Sequence, residues 1–155
     1  MRRAGVLVLA VVMACSVRTK PPAVSHAEPR SAPQSGQVTS SDECSQLERR
    51  YATAKPLRTL TGKATYYSNS LEGHKMASGE VYQPDGAQAA HRTLPFGTLV
   101  RVTMVDSKRS VIVRIADRGP YGKGRIIDVS YAAAERLGLI RAGVAMVRID
   151  VLQMP

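Results

Sequence analysis

The sequence predicts a mainly β domain closed into a small barrel, with one or two short helices. Three observations predict it. Short runs across segment 59–155 alternate apolar with polar residues. Polar or Gly/Pro-containing connections separate them, and only one stretch of that segment has helical character. Short strands with one brief helix fit a closed barrel better than a parallel α/β sheet, and closure leaves no strand edge exposed.

The chain begins with something other than that domain. Arg2 and Arg3 precede an apolar run, Ala4 to Ala14, that is too short to cross a bilayer as a helix. A basic start, an apolar middle and a small-residue end make a secretory signal peptide over residues 1–14. Its end, Val12-Met13-Ala14-Cys15, looks like a bacterial lipobox, in which Cys15 is acylated and becomes the first mature residue. The plainer reading is an ordinary signal peptide cut further on, after Ala23 or Ala27.

Residues 15–58 read as a flexible tether containing a possible short helix. Pro21, Pro22, Pro29 and Pro33 punctuate a Ser/Ala/Gln-rich stretch with no sustained apolar period. The helix falls within residues 42–57, capped by Ser41 or Asp42. The barrel domain then occupies 59–155. Its strands are Gly62 to Ser68, Thr98 to Val105, Ser110 to Ala116 and Met146 to Leu152, the second and third joined as a hairpin through Asp106 to Arg109. A helix over Ser130 to Leu137 has Ser130 at its N-cap and Gly138 as its stop.

Composition limits the partners. The chain has 155 residues, no Trp and one Phe, so its core is built from aliphatic residues and Tyr. The net charge is +10, and loss of residues 1–14 removes only the two charges of Arg2 and Arg3. Such a surface suits polyanions: nucleic acid, anionic lipid or acidic polysaccharide. Export argues against nucleic acid and leaves the wall and the membrane. Cys15 and Cys44 are the only cysteines, so an acylated Cys15 leaves Cys44 without a disulfide partner.

Three loop-like stretches concentrate polar residues: Gly73 to Glu80, Ala89 to Gly97 with His91, and Ala116 to Tyr121 with Asp117. Each has a bland reading. Asp117 before Gly119-Pro120 can simply cap a turn, His91 can be structural, and Glu80 can be a solvated charge. No H-x-x-x-H, H-E-x-x-H or Cys pair is present, so no metal or other cofactor is expected.

Taken in order, GKATYYS, KMASGEVY, AAHRTLPFGTLVRV, VIVRIADRGPY and RIIDVSYAAAERLG resemble the double-psi β-barrel of the rare lipoprotein A family, over about residues 60–152. The resemblance implies a six-stranded double-psi barrel and a lytic transglycosylase. Such enzymes cut between N-acetylmuramic acid and N-acetylglucosamine without water, leaving 1,6-anhydro ends, and prefer strands lacking stem peptides. The family's active residues fall on Glu80, His91 and Asp117, with separations of eleven and twenty-six residues that align without a gap. One carboxyl group can then protonate the leaving oxygen and later accept the proton of the attacking hydroxyl. Asp117 is assigned that role, its acidity weakened by burial, though the resemblance does not decide between Asp117 and Glu80. Tyr66, Tyr67 and Tyr82 offer sugar-stacking faces, at least one of them more at home in the core. Arg118 and Tyr121 complete the expected substrate contacts.

The same resemblance implies a monomer in the cell envelope, lipid-anchored to a membrane, facing periplasm or wall and acting on peptidoglycan strands. Some features depart from the family pattern. Larger members carry a C-terminal peptidoglycan-binding repeat domain absent from this sequence, Gln83 replaces a common Asp, and Ser68 a common Gly. Asp128 reads as a brace near the helix start. The competing readings are a non-catalytic, expansin-like wall-binding module and a structural envelope lipoprotein, because a shared barrel does not fix activity.

Overall fold

The computed structural model describes residues 40–155; the signal peptide, Cys15 and most of the tether lie outside the described residues. In chain order the elements are α1 (Ser40–Tyr51), β1 (Arg58–Tyr66), a 3-10 turn (Asn69–Leu71), β2 (Gln88–Ala90), β3 (Leu99–Met104), β4 (Ser110–Asp117), β5 (Arg125–Val129), α2 (Tyr131–Leu137) and β6 (Ala145–Gln153). The six strands close in the order β1-β5-β2-β4-β3-β6, as the expected barrel requires.

The interior follows from strand alternation. Val100 and Val102 of β3, Val111, Val113 and Ile115 of β4, and Val147, Ile149 and Val151 of β6 are all fully buried. Their branched side chains fill the lumen, with the one Phe of the sequence, Phe96, only partly buried against this core. The β3–β4 hairpin pairs Leu99 with Arg114 through Thr103 with Ser110, around the expected polar connection. Gly62 lies where β1 crosses β5; a Cβ there would sit 2.6 Å from Cγ2 of Ile126.

Two pairings are parallel, β1 with β5 and β2 with β4, and each carries a register shift. The second shift falls between Ala89 and Ala90 and sets Ala90 opposite Asp117. A bulge there re-aims the end of β4. Strands β2 and β5 have no counterpart among the four strands read from the sequence. β1 also starts earlier than read, at Arg58, because β6 continues opposite it as far as the Arg58–Val151 pair.

The short helix placed within the tether is instead packed on the barrel. Cys44 is buried in the main core with Leu47 against it, and Ala87 N–H donates to Glu43. Burial pushes the Cys44 thiol up to about 11, so it stays protonated. At α2, Gly138 takes the left-handed conformation (φ 74°) and closes the helix as expected. Ser130 holds the N-cap position without capping through its side chain: its hydroxyl donates to the Gly86 carbonyl.

Candidate functional site

The site is built where the loop after β1 latches onto the end of β4. Gly73 and Gly79 adopt φ 82° and 91°, the left-handed region that glycine enters without strain. They let the loop fold back on itself, with Lys75 bridged to Val81 and Met76 N–H donating to the Glu80 carbonyl. Met76 and Tyr82 are buried against Ala116 in a small cluster beside the barrel. Ser78 N–H donates to the Ala116 carbonyl, which fixes the loop on β4.

Asp117 is the best-held side chain of this region. Its Oδ1 accepts from Ala77 N–H and Arg118 N–H, each at 2.8 Å. Its Oδ2 accepts a 2.7 Å bond from the Tyr67 hydroxyl. Burial, and then the hydrogen bond to Asp117, push the Tyr67 phenol far up, so it remains a donor. Asp117 lines a cavity of about 180 Å³ with Tyr67, His74, Lys75, Met76 and Tyr82. The sequence reading gave Tyr67 a stacking face and no part in holding Asp117. The adjacent aromatic pair at the end of β1 is the signal that was available: successive strand residues face opposite sides. Tyr66 packs on the core and edge-on against Tyr131, while Tyr67 turns to Asp117.

Glu80 and His91 surround Asp117 without sharing its cavity. The Glu80 carboxylate is paired with Arg114, which also lies 3.8 Å from Glu43 of α1. Arg114 is three residues back from Asp117, roughly 10 Å along the strand. His91 N–H donates to the Asp117 carbonyl, joining the two backbones. The His91 ring is 7% exposed, and its Nδ1 accepts from the N–H groups of Thr93 and Leu94. Burial, followed by the charges of Arg58, Arg92 and Arg118, lowers its proton affinity, so the ring is neutral with its proton on Nε2. It lines a separate cavity of about 480 Å³, with Arg58, Arg92, Thr61 and Thr93. Of the three family positions, His91 and Asp117 are joined through their backbones, while Glu80 is tied to β4 through Arg114.

The expected substrate contacts divide. Tyr82 is 2% exposed, its ring lies 5.0 Å from that of Tyr67, and its hydroxyl accepts from Tyr131 N–H; it supports Tyr67 and offers no open face. Tyr66 is spent on the core and on Tyr131. The Arg118 guanidinium stacks 3.7 Å from the centroid of Phe96 and donates through NH1 to the carbonyls of His91 and Leu94, so it braces the His91 turn. Only Tyr121, 80% exposed, presents a free ring. Asp128 accepts from the Thr65 hydroxyl, as a brace would. Burial pushes its carboxyl up, the Thr65 bond and Arg125 oppose this, and Asp117 adds to it.

Residues 59–149 match the family model described as lytic transglycolase. The chain is 48% identical over 94 residues to the endolytic peptidoglycan transglycosylase RlpA of Vibrio cholerae, covering 61% of this chain and 36% of that protein. It is 50% identical over 93 residues to the protein of the same name from Pasteurella multocida, covering 60% and 32%. The match thus spans about a third of the length of these relatives. Among solved structures, the apo expansin of Clavibacter michiganensis superposes with a TM-score of 0.50 at 25% identity, covering 63% of this chain and 52% of that one.

Proposed function

The chain belongs to the lytic transglycolase family, and from that premise we propose that it cleaves peptidoglycan glycan strands between N-acetylmuramic acid and N-acetylglucosamine, leaving 1,6-anhydro-N-acetylmuramic ends. The relatives named as peptidoglycan transglycosylases support this reading. The observation that carries it is the suspension of Asp117 at the edge of a cavity by two backbone N–H groups and the Tyr67 hydroxyl.

In the proposed reaction Asp117 serves twice. Oδ1 is already taken by two N–H donors, whereas Oδ2 holds one bond, so Oδ2 is the oxygen with room for a proton. As an acid it gives that proton to the glycosidic oxygen as the bond to the anomeric carbon breaks. The 6-hydroxyl of the muramic acid then attacks the anomeric carbon, and Asp117 takes up the hydroxyl's proton, closing the anhydro ring and restoring the acid. Tyr67 stays protonated and can donate to Oδ2 in both states. No water is consumed. Glu80, through Arg114, holds the loop that supplies the Ala77 N–H, and His91 fixes the other flank; in this reading they position Asp117 and the sugar.

The proposal extends to location and organisation: a signal peptide over 1–14, acylation at Cys15, a tether that ends where α1 packs on the barrel, and the barrel itself over 59–155, in the cell envelope. The support is the Arg2-to-Cys15 pattern together with a wall-polymer substrate. A second reading, a wall-binding module that does not cut, is favoured by the separate cavities of His91 and Asp117 and by the likeness to an expansin. Incubating the chain with peptide-free strands and searching for anhydro-muramic ends by mass spectrometry decides between them. New ends from the native chain and none from Asp117→Asn support the enzyme; strands bound but never shortened support the module.

A further inference from the structure

The cavity on the far side of His91 is a concave site lined by cations. Arg58 from the start of β1 and Arg92 from the turn after β2 line it, with the hydroxyl-bearing Thr61 and Thr93 and the apolar Ile126. No carboxylate contributes to the lining. Among the described residues, no salt bridge neutralises Arg58, Arg92 or the neighbouring Arg118. Arg92 donates through NH2 to the Arg125 carbonyl, which leaves most of its donors uncommitted in that bond, and Arg58 and Arg92 are both exposed. With Nδ1 of His91 already used by backbone donors, its remaining polar atom is the Nε2–H. Every charged or hydrogen-bearing nitrogen on this cavity therefore donates.

Two unneutralised guanidinium groups beside hydroxyls in a hollow of about 480 Å³ form a receptor for a planar anion. The fork of an arginine matches a carboxylate in a bidentate fashion, and a concave surface focuses the field of both. Burial, and then the charges of Arg58, Arg92 and Arg118, lower the proton affinity of the His91 ring on the same cavity.

We propose that this pocket binds the free lactyl carboxylate of a muramic acid whose stem peptide has been removed. The inference rests on the transglycosylase reading and deepens it, by assigning the residues that select the strand. Position supports it. His91 lines the pocket with its ring while its backbone N–H holds the Asp117 carbonyl, so pocket and acid adjoin one backbone junction. A glycan strand crossing Asp117 would bring a substituent of the same or the adjoining sugar to Arg58 and Arg92. When the stem peptide is attached, that carboxyl is a neutral amide with a bulky continuation. It then lacks the charge and the two equivalent oxygens that the arginines fit, and it would leave both cations without an anionic partner.

The test compares binding of the full chain to two polymers: peptide-free strands, and the same strands with their lactyl carboxylates converted to methylamides. The native chain should bind the carboxylate form roughly tenfold more tightly at low salt, as expected for charge-assisted bonds at a partly solvated site. Arg58→Gln/Arg92→Gln should bind both forms alike, while Arg58→Lys/Arg92→Lys should keep part of the preference. Thermal melting of each variant checks that the barrel is intact. Equal binding of both forms by the native chain, or an undiminished preference in the double Gln variant, would overturn the assignment. Anhydro ends counted in the same samples keep the two ideas apart. A preference without cutting removes the enzyme reading and leaves the pocket, whereas cutting without a preference removes the pocket alone.

Discussion

The Tyr67 hydroxyl donates a 2.7 Å hydrogen bond to Oδ2 of Asp117, a residue fifty positions further along the chain. The bond ties the loop following β1 to the end of β4, and it reaches the one Asp117 oxygen that no backbone N–H engages. Replacing Tyr67 with Phe keeps the ring against Tyr82 and removes only this donor. The expected result is a loss of stability of about 1 kcal/mol in urea unfolding, together with a marked fall in the rate at which anhydro ends appear. An unchanged rate would mean that Tyr67 serves packing alone.

Asp117 and Glu80 are separated by their partners. Asp117 opens on a cavity and is held mainly by neutral donors, whereas the Glu80 carboxylate is paired with a guanidinium. Asp117→Asn should reduce cleavage about 10²- to 10⁴-fold, the range that general acid–base catalysis supplies, with strand binding retained. Glu80→Gln should cut the rate less. It should also cost under about 1 kcal/mol of stability, because the pair with Arg114 is partly solvated. If Glu80→Gln proves the more damaging of the two, the acid has been assigned to the wrong residue.

Local pattern and non-local pairing account for what the sequence made legible. Strands β3 and β6 alternate apolar with polar residues, β4 is a run rich in β-branched residues, and α2 carries its own stop at Gly138, so each could be read in isolation. β2 is three residues long and buried throughout, leaving no alternation to see. β5 is defined by parallel pairing with β1, some sixty residues away, where no turn signal operates. The site behaves in the same way. The positions Glu80, His91 and Asp117 follow from motif order, and the structure joins the backbones of His91 and Asp117. That Arg114 claims Glu80, that Arg118 braces the His91 turn, and that Tyr82 is buried beneath Tyr67 all depend on contacts between distant strands and loops.

Gly62 offers a test of packing at the β1–β5 crossing. An added methyl would meet Ile126 Cγ2 at 2.6 Å and Cγ1 at 2.9 Å, well inside contact distance. Gly62→Ala should destabilise the barrel by about 1–3 kcal/mol, as overpacking does. Trimming the obstructing side chain in Gly62→Ala/Ile126→Ala should recover part of that loss relative to the sum of the single changes. Strict additivity in a double-mutant cycle would show that the strain lies in the backbone and not at Ile126.

His91 makes stability depend on pH in a direction that its surroundings fix. Burial first, then Arg58, Arg92 and Arg118, lower its folded-state pKa below the usual 6.5. The unfolded chain therefore binds the proton more readily, and folding is disfavoured wherever His91 would be charged in the unfolded state. Stability should be unaffected by this group above about pH 7.5, decline as pH falls through 6.5, and level off below the folded pKa. Asp128 acts with the opposite sign. Its raised pKa makes the folded chain the better proton binder, so its contribution falls as pH rises above 3.8. His91→Asn isolates the imidazole, because an Asn oxygen can still accept from the N–H groups of Thr93 and Leu94 while carrying no proton of its own. Urea midpoints measured between pH 5.5 and 8 should slope upward for the native chain and flatten in His91→Asn. Two parallel profiles would place the titrating group elsewhere and remove the case for a neutral His91 beside Asp117.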